Sequence, residues 1–451
     1  MNTNEIINKL GIRPNDMQNA VFDAMSGGTD DIVVLSPTGT GKTYAYLIPL
    51  AAQLDSQSDA LQAVVLLPGR ELALQSANVL KSMGSGLRTM ALYGGRPTMD
   101  EHRELRTVRP QIVFATPGRL NDHLDKGNIS AASVRTLVID EFDKMLQMGF
   151  QDEMTAIIGK LPTAIRRVLL SATDAEEIPS YLRSGFNPVR LNFIAADEAA
   201  AERVKIFKVQ SPEKDKLETL KRLLIDLGEQ SSVVFLNYRD SVERTAGYLT
   251  EEGFTVSLFH GGLDQQDRER ALYRFSNGTA NILVCTDLAS RGLDIPDIKN
   301  IIHYHIPESE DAYVHRTGRT ARWDKDGRAF FILAPGETVP DYVEQASADA
   351  AKGQDRTPLA DYNPVGDGPV PQPLMTTIYI GKGKKDKISK GDIVGFLCKK
   401  GGLKGSEIGR IDVYERYAYA AVPRRKLRQV LRGTHGEKIK GVKTIVEEVT
   451  I

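Results

Sequence analysis

Short apolar, β-branched runs alternate with amphipathic stretches through the first 335 residues. DIVVLS, AVVLLP, QIVFAT, TLVIDE and RVLLSAT are apolar almost throughout, as strands covered on both faces of a parallel sheet must be. The stretch after Gly41 and others like it between these runs carry helical periodicity. Near Asn187 the pattern restarts, and VVFLNY, TVSLFHG, NILVCT, NIIHYHIP and AFFILA form a second strand series. Two successive βα series predict two doubly wound parallel-sheet α/β domains, over residues 1–203 and 204–350. Residues 351–373 are rich in Pro, Gly and Asp and read as a linker, a flexible coil spanning roughly 25–30 Å.

The pattern changes again over residues 374–451. MTTIYIG, IGRIDVYE, RYAYAAV and KTIVEEV predict strands; SKGDIVGFLCKK and PRRKLRQVL predict helices starting near Ser389 and Pro423. The order β-α-β-β-α-β is that of a small α+β ferredoxin-like domain, the fold of RRM-like RNA-recognition modules.

Composition narrows the class. The 451 residues are 41% hydrophobic and 26% charged, as in a globular protein, and no apolar run reaches the ~20 residues of a membrane span. No secretory signal pattern opens the chain, and the two cysteines, Cys285 and Cys398, lack metal-ligand spacing, so a cytoplasmic protein without a membrane partner is expected. The net charge of −1 conceals an asymmetry. Residues 374–451 hold 18 Lys and Arg against 8 Asp and Glu, a net +10, which leaves −11 on the rest. A basic block of this kind suits either a polyanionic partner or a solvated lysine-rich face.

Candidate chemistry begins at Ser36-Pro37-Thr38-Gly39-Thr40-Gly41-Lys42-Thr43, between a strand and a helical pattern. This is a P-loop with Ser36 at the first glycine position. Gly39 and Gly41 let backbone N–H groups turn inward, Lys42 can reach outer phosphates, and the Thr43 hydroxyl can ligate Mg²⁺. At the end of TLVI stand Asp140-Glu141-Phe142-Asp143. Asp140 suits the metal ion and Glu141 suits positioning or deprotonating a water. Arg316, Arg319 and Arg322 follow at helical spacing; such a stripe is either a surface face or a source of transition-state charge from a second domain.

With these residues in place, the chain from about Leu10 to Gly327 resembles the DEAD-box RNA helicases. The resemblance implies two tandem RecA-like domains, ATP and Mg²⁺ as cofactors, and RNA as partner. Gly11-Ile12-Arg13-Pro14-Asn15-Asp16-Met17-Gln18 resembles the motif in which Gln18 reads adenine. Arg70, Gly94-Gly95, and Thr116, Gly118 and Arg119 resemble the RNA contacts of the first domain, and Ser171 and Thr173 the motif coupling hydrolysis to unwinding. In the second domain Gln265, Arg268 and Thr286 resemble RNA contacts, Asp294 a ribose contact, and Arg316 and Arg319 the arginines that meet the γ-phosphate. The family pattern is broken by Phe142 in place of alanine, by His305 in place of aspartate, by Trp323, and by the lack of an aromatic upstream of Gln18.

The segment from Lys390 to Gly441 resembles the RNA-binding domain of DbpA-type bacterial helicases, which implies ribosomal RNA of the large subunit, with ribosomal precursor particles as a further partner; a monomer is expected. Lys385 and Lys387 in one loop, with Arg424, Arg425 and Lys426 near one helix, suit phosphates. Tyr417 and Tyr419 share a sheet face and suit either stacked bases or packing. Besides the helicase reading, the residues are compatible with an ATP-gated RNA clamp or a DNA helicase.

Overall fold

The structure is a computed structural model that describes residues 2–28, 30–37, 39–95, 98–173, 179, 182, 185–194, 204–287, 298–318, 320, 327–343 and 359–449. It divides into two compact units, one within residues 1–201 and one within residues 202–451.

The first unit opens with α1 (Thr3–Leu10) and α2 (Asp16–Ser26). Then follow β1 (Ile32–Leu35), α3 (Lys42–Gln53), β2 (Ala63–Leu66), α4 (Arg70–Met83), β3 (Thr89–Leu92), α5 (Thr98–Val108), β4 (Ile112–Ala115), α6 (Pro117–Asp125) and β5 (Thr136–Ile139). It closes with α7 (Phe142–Gln147), α8 (Gln151–Lys160), β6 (Arg166–Ser171) and β7 (Val189–Asn192). The sheet order is β3-β4-β2-β5-β6-β1-β7, all parallel. Alternate strand residues enter two apolar clusters: Ile32 and Val34 pack with α2 and α3, Val33 and Leu35 with Phe142 and Met145. Both faces are therefore dry, which explains the continuous apolar runs. The restart expected near Asn187 falls later. Val189–Asn192 still pairs with β1, and the second series begins at Val204.

The second unit carries β8 (Val204–Gln210), α9 (Leu217–Leu227), β9 (Ser232–Leu236), α10 (Arg239–Glu251), β10 (Val256–Phe259), α11 (Gln265–Ser276), β11 (Ile282–Thr286), β12 (Asn300–His303), α12 (Glu310–Thr317), β13 (Gly327–Leu333) and β14 (Ala360–Asp361). Its sheet, β10-β11-β9-β12-β13-β8-β14, is also parallel throughout.

The described part of the segment expected as a free linker is fastened to this sheet. Ala360 and Asp361 extend it as β14 beside β8, and Tyr362 packs edge-on against Phe207 and Phe330. Asp226 accepts from the Val365 and Gly366 N–H groups at 2.9 and 2.8 Å, and Gln372 donates to Gly253 O at 2.8 Å. With its backbone groups taken up this way, the stretch does not behave as the coil its Pro and Gly content suggests. Residues 351–358 lie outside the described residues.

The remaining elements are β15 (Met375–Ile380), α13 (Lys390–Lys399), β16 (Ile411–Val413), β17 (Ala418–Pro423), α14 (Leu427–Thr434), β18 (Lys438–Ile439), β19 (Val442–Lys443) and β20 (Val446–Glu448). The antiparallel order β16-β17-β15-β20 is the ferredoxin-like one that the sequence order predicts. Ser389 caps α13 through a capping box with Asp392, whereas a 3₁₀ turn over Arg424–Lys426 delays α14 to Leu427. Ile378, Ile380, Ala418, Ala420 and Val422 face both helices. On the opposite face, Tyr419 lies 5.2 Å from Tyr273 of α11, the Tyr273 hydroxyl donates to Arg410 O at 2.9 Å, and Thr377 meets Thr279 at 2.7 Å. Tyr419 is 7% exposed.

Candidate nucleotide and RNA sites

The strongest candidate site lies at the carboxyl ends of β1 and β5, where a parallel sheet binds ligands. Gly39 and Gly41 take left-handed conformations at φ +87° and +86°, the kind of backbone that lets a loop aim its N–H groups at an anion. Lys42 Nζ donates to Ser36 O at 2.7 Å and Pro37 O at 3.3 Å, so the loop curls around its own ammonium group. Ser36 is wholly buried, and its hydroxyl donates to Thr40 Oγ1 at 2.8 Å; the departure from glycine adds a brace. Thr43 follows Lys42 in the first turn of α3, and Thr38 lies outside the described residues.

The start of α2 is latched to this loop. Gln18 accepts from Asn15 N at 3.1 Å through Oε1 and donates to Gly41 O at 3.2 Å through Nε2, while Asn15 Nδ2 donates to Thr40 O at 3.0 Å. A Cβ at position 41 would stand 2.5 Å from Gln18 Nε2. Gly41→Ala is therefore expected to weaken nucleotide binding by about tenfold, through left-handed strain and displacement of Gln18. Titration with a fluorescent ATP analogue measures it, and an unchanged affinity would show that the loop absorbs the methyl group.

Asp140 and Glu141 leave β5 side by side, 4% and 8% exposed. Burial pushes the Asp140 carboxyl up to about 7, Glu141 adds repulsion, and Lys42 opposes the shift. Burial and the facing Asp140 hold the Tyr46 hydroxyl well above its ordinary value. Glu141 adopts φ +54°, a left-handed conformation that costs a residue other than glycine about 1–2 kcal/mol. Its Oε2 is buried without a hydrogen-bond partner. Two dry, adjacent carboxylates, the second both strained and carrying an orphaned oxygen, form a site arranged for a cation and a polar reactant. Among the described residues no group of three or more His, Cys, Asp or Glu converges to hold a metal ion. Mg²⁺ does not require one, because it keeps water and phosphate oxygens and takes one or two protein ligands. Asp140 and the Thr43 hydroxyl fit that role.

Thr173 Oγ1 donates to Asp143 Oδ2 at 3.2 Å, and Ser171 Oγ donates to Thr173 O at 2.5 Å. The end of β6 is thus tied to the acidic turn. Phe142 is 3% exposed within the apolar cluster under α7, so the bulky departure from alanine is absorbed by packing.

Residues expected to meet RNA stand on neighbouring loops of the same sheet edge, after β2, β3 and β4. Arg70 opens α4, and its guanidinium overlies Gly95, where a Cβ would stand 2.5 Å from Nη1. Thr116 caps α6 without a side-chain hydrogen bond, and Gly118 is exposed in its first turn. Arg119 is paired with Glu101 at 3.1 Å.

In the second unit, Gln265 and Arg268 start α11 and Thr286 ends β11. The Arg268 guanidinium lies over the Phe259 ring at 5.0 Å. Arg316 is 1% exposed and has a full set of partners within this unit. It meets Asp287 through Nε at 2.5 Å and Nη2 at 2.6 Å, Asn237 Oδ1 at 2.9 Å and His305 O at 2.7 Å. Asn237 and Asp287 were not anticipated as its partners, although Asp287 adjoins Thr286 in a motif already singled out. His305 Nδ1 accepts from Asn237 N at 3.1 Å. Burial first, then Lys216 and Arg316, pull its imidazole down to about 4. A neutral histidine thus supplies the acceptor at a position where aspartate is expected. Arg319 and Asp294 lie outside the described residues.

In the C-terminal module Lys385, Lys387 and Arg425 are exposed. Arg424 and Lys426 are engaged instead, with Pro373 O at 3.0 Å and Glu407 at 2.6 Å. Tyr417 is half-buried, 4.9 Å from Tyr414. Tyr419, expected either to stack bases or to pack, is packed: its ring is buried and tilted against that of Tyr273.

Comparison with known proteins agrees with this arrangement. The DEAD/DEAH box helicase family matches residues 15–179, the helicase conserved C-terminal domain matches residues 215–324, and the DbpA RNA binding domain matches residues 377–448. The ATP-dependent RNA helicase DbpA of Escherichia coli is 35% identical over 96% of this chain and 94% of its own. The Bacillus subtilis protein of the same name is 31% identical over 91% and 90%. Among solved structures, S. cerevisiae Dbp5 bound to RNA and ADP BeF3 superposes with a TM-score of 0.69 at 24% identity, covering 80% of this chain and 93% of that one. Mss116p bound to ssRNA and AMP-PNP gives 0.69 at 26% identity, with 80% and 77% covered.

Proposed function

Because the chain belongs to the DEAD-box ATP-dependent RNA helicases of the DbpA type, we propose that it couples ATP hydrolysis to remodelling of large-subunit ribosomal RNA. Lys42 and the loop from Ser36 to Thr43 hold the phosphates, with Thr38 inside that loop. Gln18 reads the adenine edge and Asp294 the ribose. Asp140 and Thr43 hold Mg²⁺, which neutralises phosphate charge when bound. Glu141 orients and deprotonates the attacking water. Arg319 meets the developing charge on the γ-phosphate, and Arg316 sets the network around it. Ser171 and Thr173 pass the state of the acidic turn along β6. The work is done in the cytoplasm, by a monomer, on ribosomal precursor particles.

The observation that carries this reading is Glu141. A buried, strained carboxylate with an orphaned oxygen beside the P-loop lysine has no structural use, yet it suits a polarised water. A clamp in which Phe142 disables turnover is less favoured, because Phe142 packs into the core rather than lining the site. The test is the ATPase rate, and unwinding of a short duplex, with a ribosomal RNA fragment, generic RNA, DNA or no nucleic acid. The largest stimulation is expected from the ribosomal fragment. Equal stimulation by DNA would overturn the RNA assignment.

A second expectation concerns the C-terminal module. Substituting its exposed cations Lys385, Lys387 and Arg425 with Glu should raise the concentration of ribosomal RNA needed for half-maximal ATPase. It should also lower the slope of log affinity against log salt by about one unit per lost phosphate contact. A salt slope that does not change would return these cations to the solvated-face reading.

A further inference from the structure

Three groups between α5 and α6 of the first unit are charged or polar where packing alone would place apolar residues. Glu101 and His123 are both 0% exposed, and the Arg119 side chain is 11% exposed. Glu101 Oε2 lies 3.0 Å from His123 Nε2 and 3.1 Å from Arg119 Nη1, and the same Nη1 donates to Thr98 Oγ1 at 3.0 Å. Asn128 Nδ2 stands 3.0 Å from His123 Nδ1. An amide nitrogen only donates, so Nδ1 accepts, and the ring proton sits on Nε2, where it is donated to Glu101. Glu101 Oε1 is buried without a partner.

Stability does not account for this set. An apolar trio of similar volume would hold two helices together as well or better, because taking a carboxylate out of water costs more than most buried pairs return. A buried charge does supply fixed direction. Glu101 belongs to α5, which follows the Gly94-Gly95 turn after β3, and Arg119 belongs to the first turn of α6, which follows Thr116 at the end of β4. The carboxylate therefore joins two of the loops read above as RNA contacts. The third is joined to them by Arg70, whose guanidinium overlies Gly95.

We propose that Glu101 and His123 are positioning residues that brace the Arg119 end of α6 against α5, so that the loops after β3 and β4 meet the RNA backbone as one preset surface. This rests on the reading of those loops as RNA contacts. Glu101 fixes Arg119 by a charge-assisted hydrogen bond. His123 fixes Glu101, and Asn128 fixes the tautomer that lets it do so. With the brace in place, an RNA strand does not have to order the two loops when it binds, a cost otherwise charged to affinity.

The experiment measures RNA-stimulated ATPase of the full chain as RNA and ATP are varied separately. Glu101→Gln is expected to raise the RNA concentration for half-maximal rate by about tenfold, the loss of one charged hydrogen bond, while the KM for ATP stays constant and kcat at saturating RNA changes less than the RNA term. His123→Leu should do the same, and His123→Gln, which keeps a donor near the Nε2 position, should recover part of the loss. Arg119→Ala and Arg70→Ala report on the underlying reading. If neither raises the RNA term, these loops are not RNA contacts. If both raise it while Glu101→Gln and His123→Leu do not, the brace is refuted and the loop assignment stands. Thermal melts identify any variant that acts by unfolding. Should Glu101→Gln unfold, the His123 pair decides alone: equal loss in Leu and Gln variants, or loss spread over RNA, ATP and kcat together, refutes positioning.

Discussion

Glu141→Gln is expected to cut RNA-stimulated ATP hydrolysis by about 10²–10⁴-fold, the usual contribution of a positioned base, while ATP and RNA still bind. The substitution keeps the shape of the side chain and removes its basicity. It also relieves the repulsion that Glu141 exerts on Asp140, so nothing about the change should weaken nucleotide binding. Lys42→Ala should fail differently. Its ammonium group is enclosed by the loop and opposes the upward shift of the Asp140 carboxyl. Losing it should lower affinity for ATP as well as turnover. Single-turnover hydrolysis and equilibrium binding, measured on both variants, separate the two patterns. A glutamine variant turning over at the wild-type rate would remove Glu141 from the chemistry.

Arg316→Ala should abolish turnover and destabilise the second unit by about 3–5 kcal/mol, the cost of leaving a buried charge without its partner. Asp287 and Asn237 both turn to this guanidinium, and it lies 5.2 Å from the Phe235 ring centre. Arg316→Lys should not restore the fold of contacts, because one ammonium cannot make the planar, two-pronged pair with Asp287. Removing both charges in Arg316→Ala with Asp287→Ala should recover part of the stability lost in the single variant. Denaturant melts of the four proteins test this. A single variant as stable as the wild type would mean that the pair contributes nothing to the fold.

The sequence showed the units that repeat a strong pattern and missed those that do not. β1, β2, β4, β5 and β6 are buried on both faces and read directly as apolar runs. β7 was missed because Val189, Arg190 and Asn192 are exposed on an edge strand, and β8 because Lys205 and Lys208 interrupt its apolar run. The attachment of residues 360–373 was hidden for another reason. It depends on Asp226, Gly253 and Phe330, partners far along the chain that no local rule connects to a Pro-rich stretch. At the site, Ser36 through Thr43, Asp140 and Glu141 were legible because phosphate chemistry prescribes their spacing. Their supports were less so. Asn15 could have been found from its capping-box spacing to Gln18. Asp143, Asn237 and Asp287 could not, since a carboxylate or amide becomes a partner only when the fold delivers it. Tyr419 marks the limit of face arguments: alternation placed it on the open side of its sheet correctly, but not what covers that side.

That covered side also fixes where the module stands. On a loose tether it would take up any distance from the second sheet. Here β14, Gln372 and the Tyr273–Tyr419 contact bolt it to that sheet, so the distance is set by the fold. On the proposed reading, in which the module grips one RNA element while the core opens another, the number of nucleotides between the two would act as a ruler, and an RNA of the right sequence with the wrong spacing would be a poor substrate.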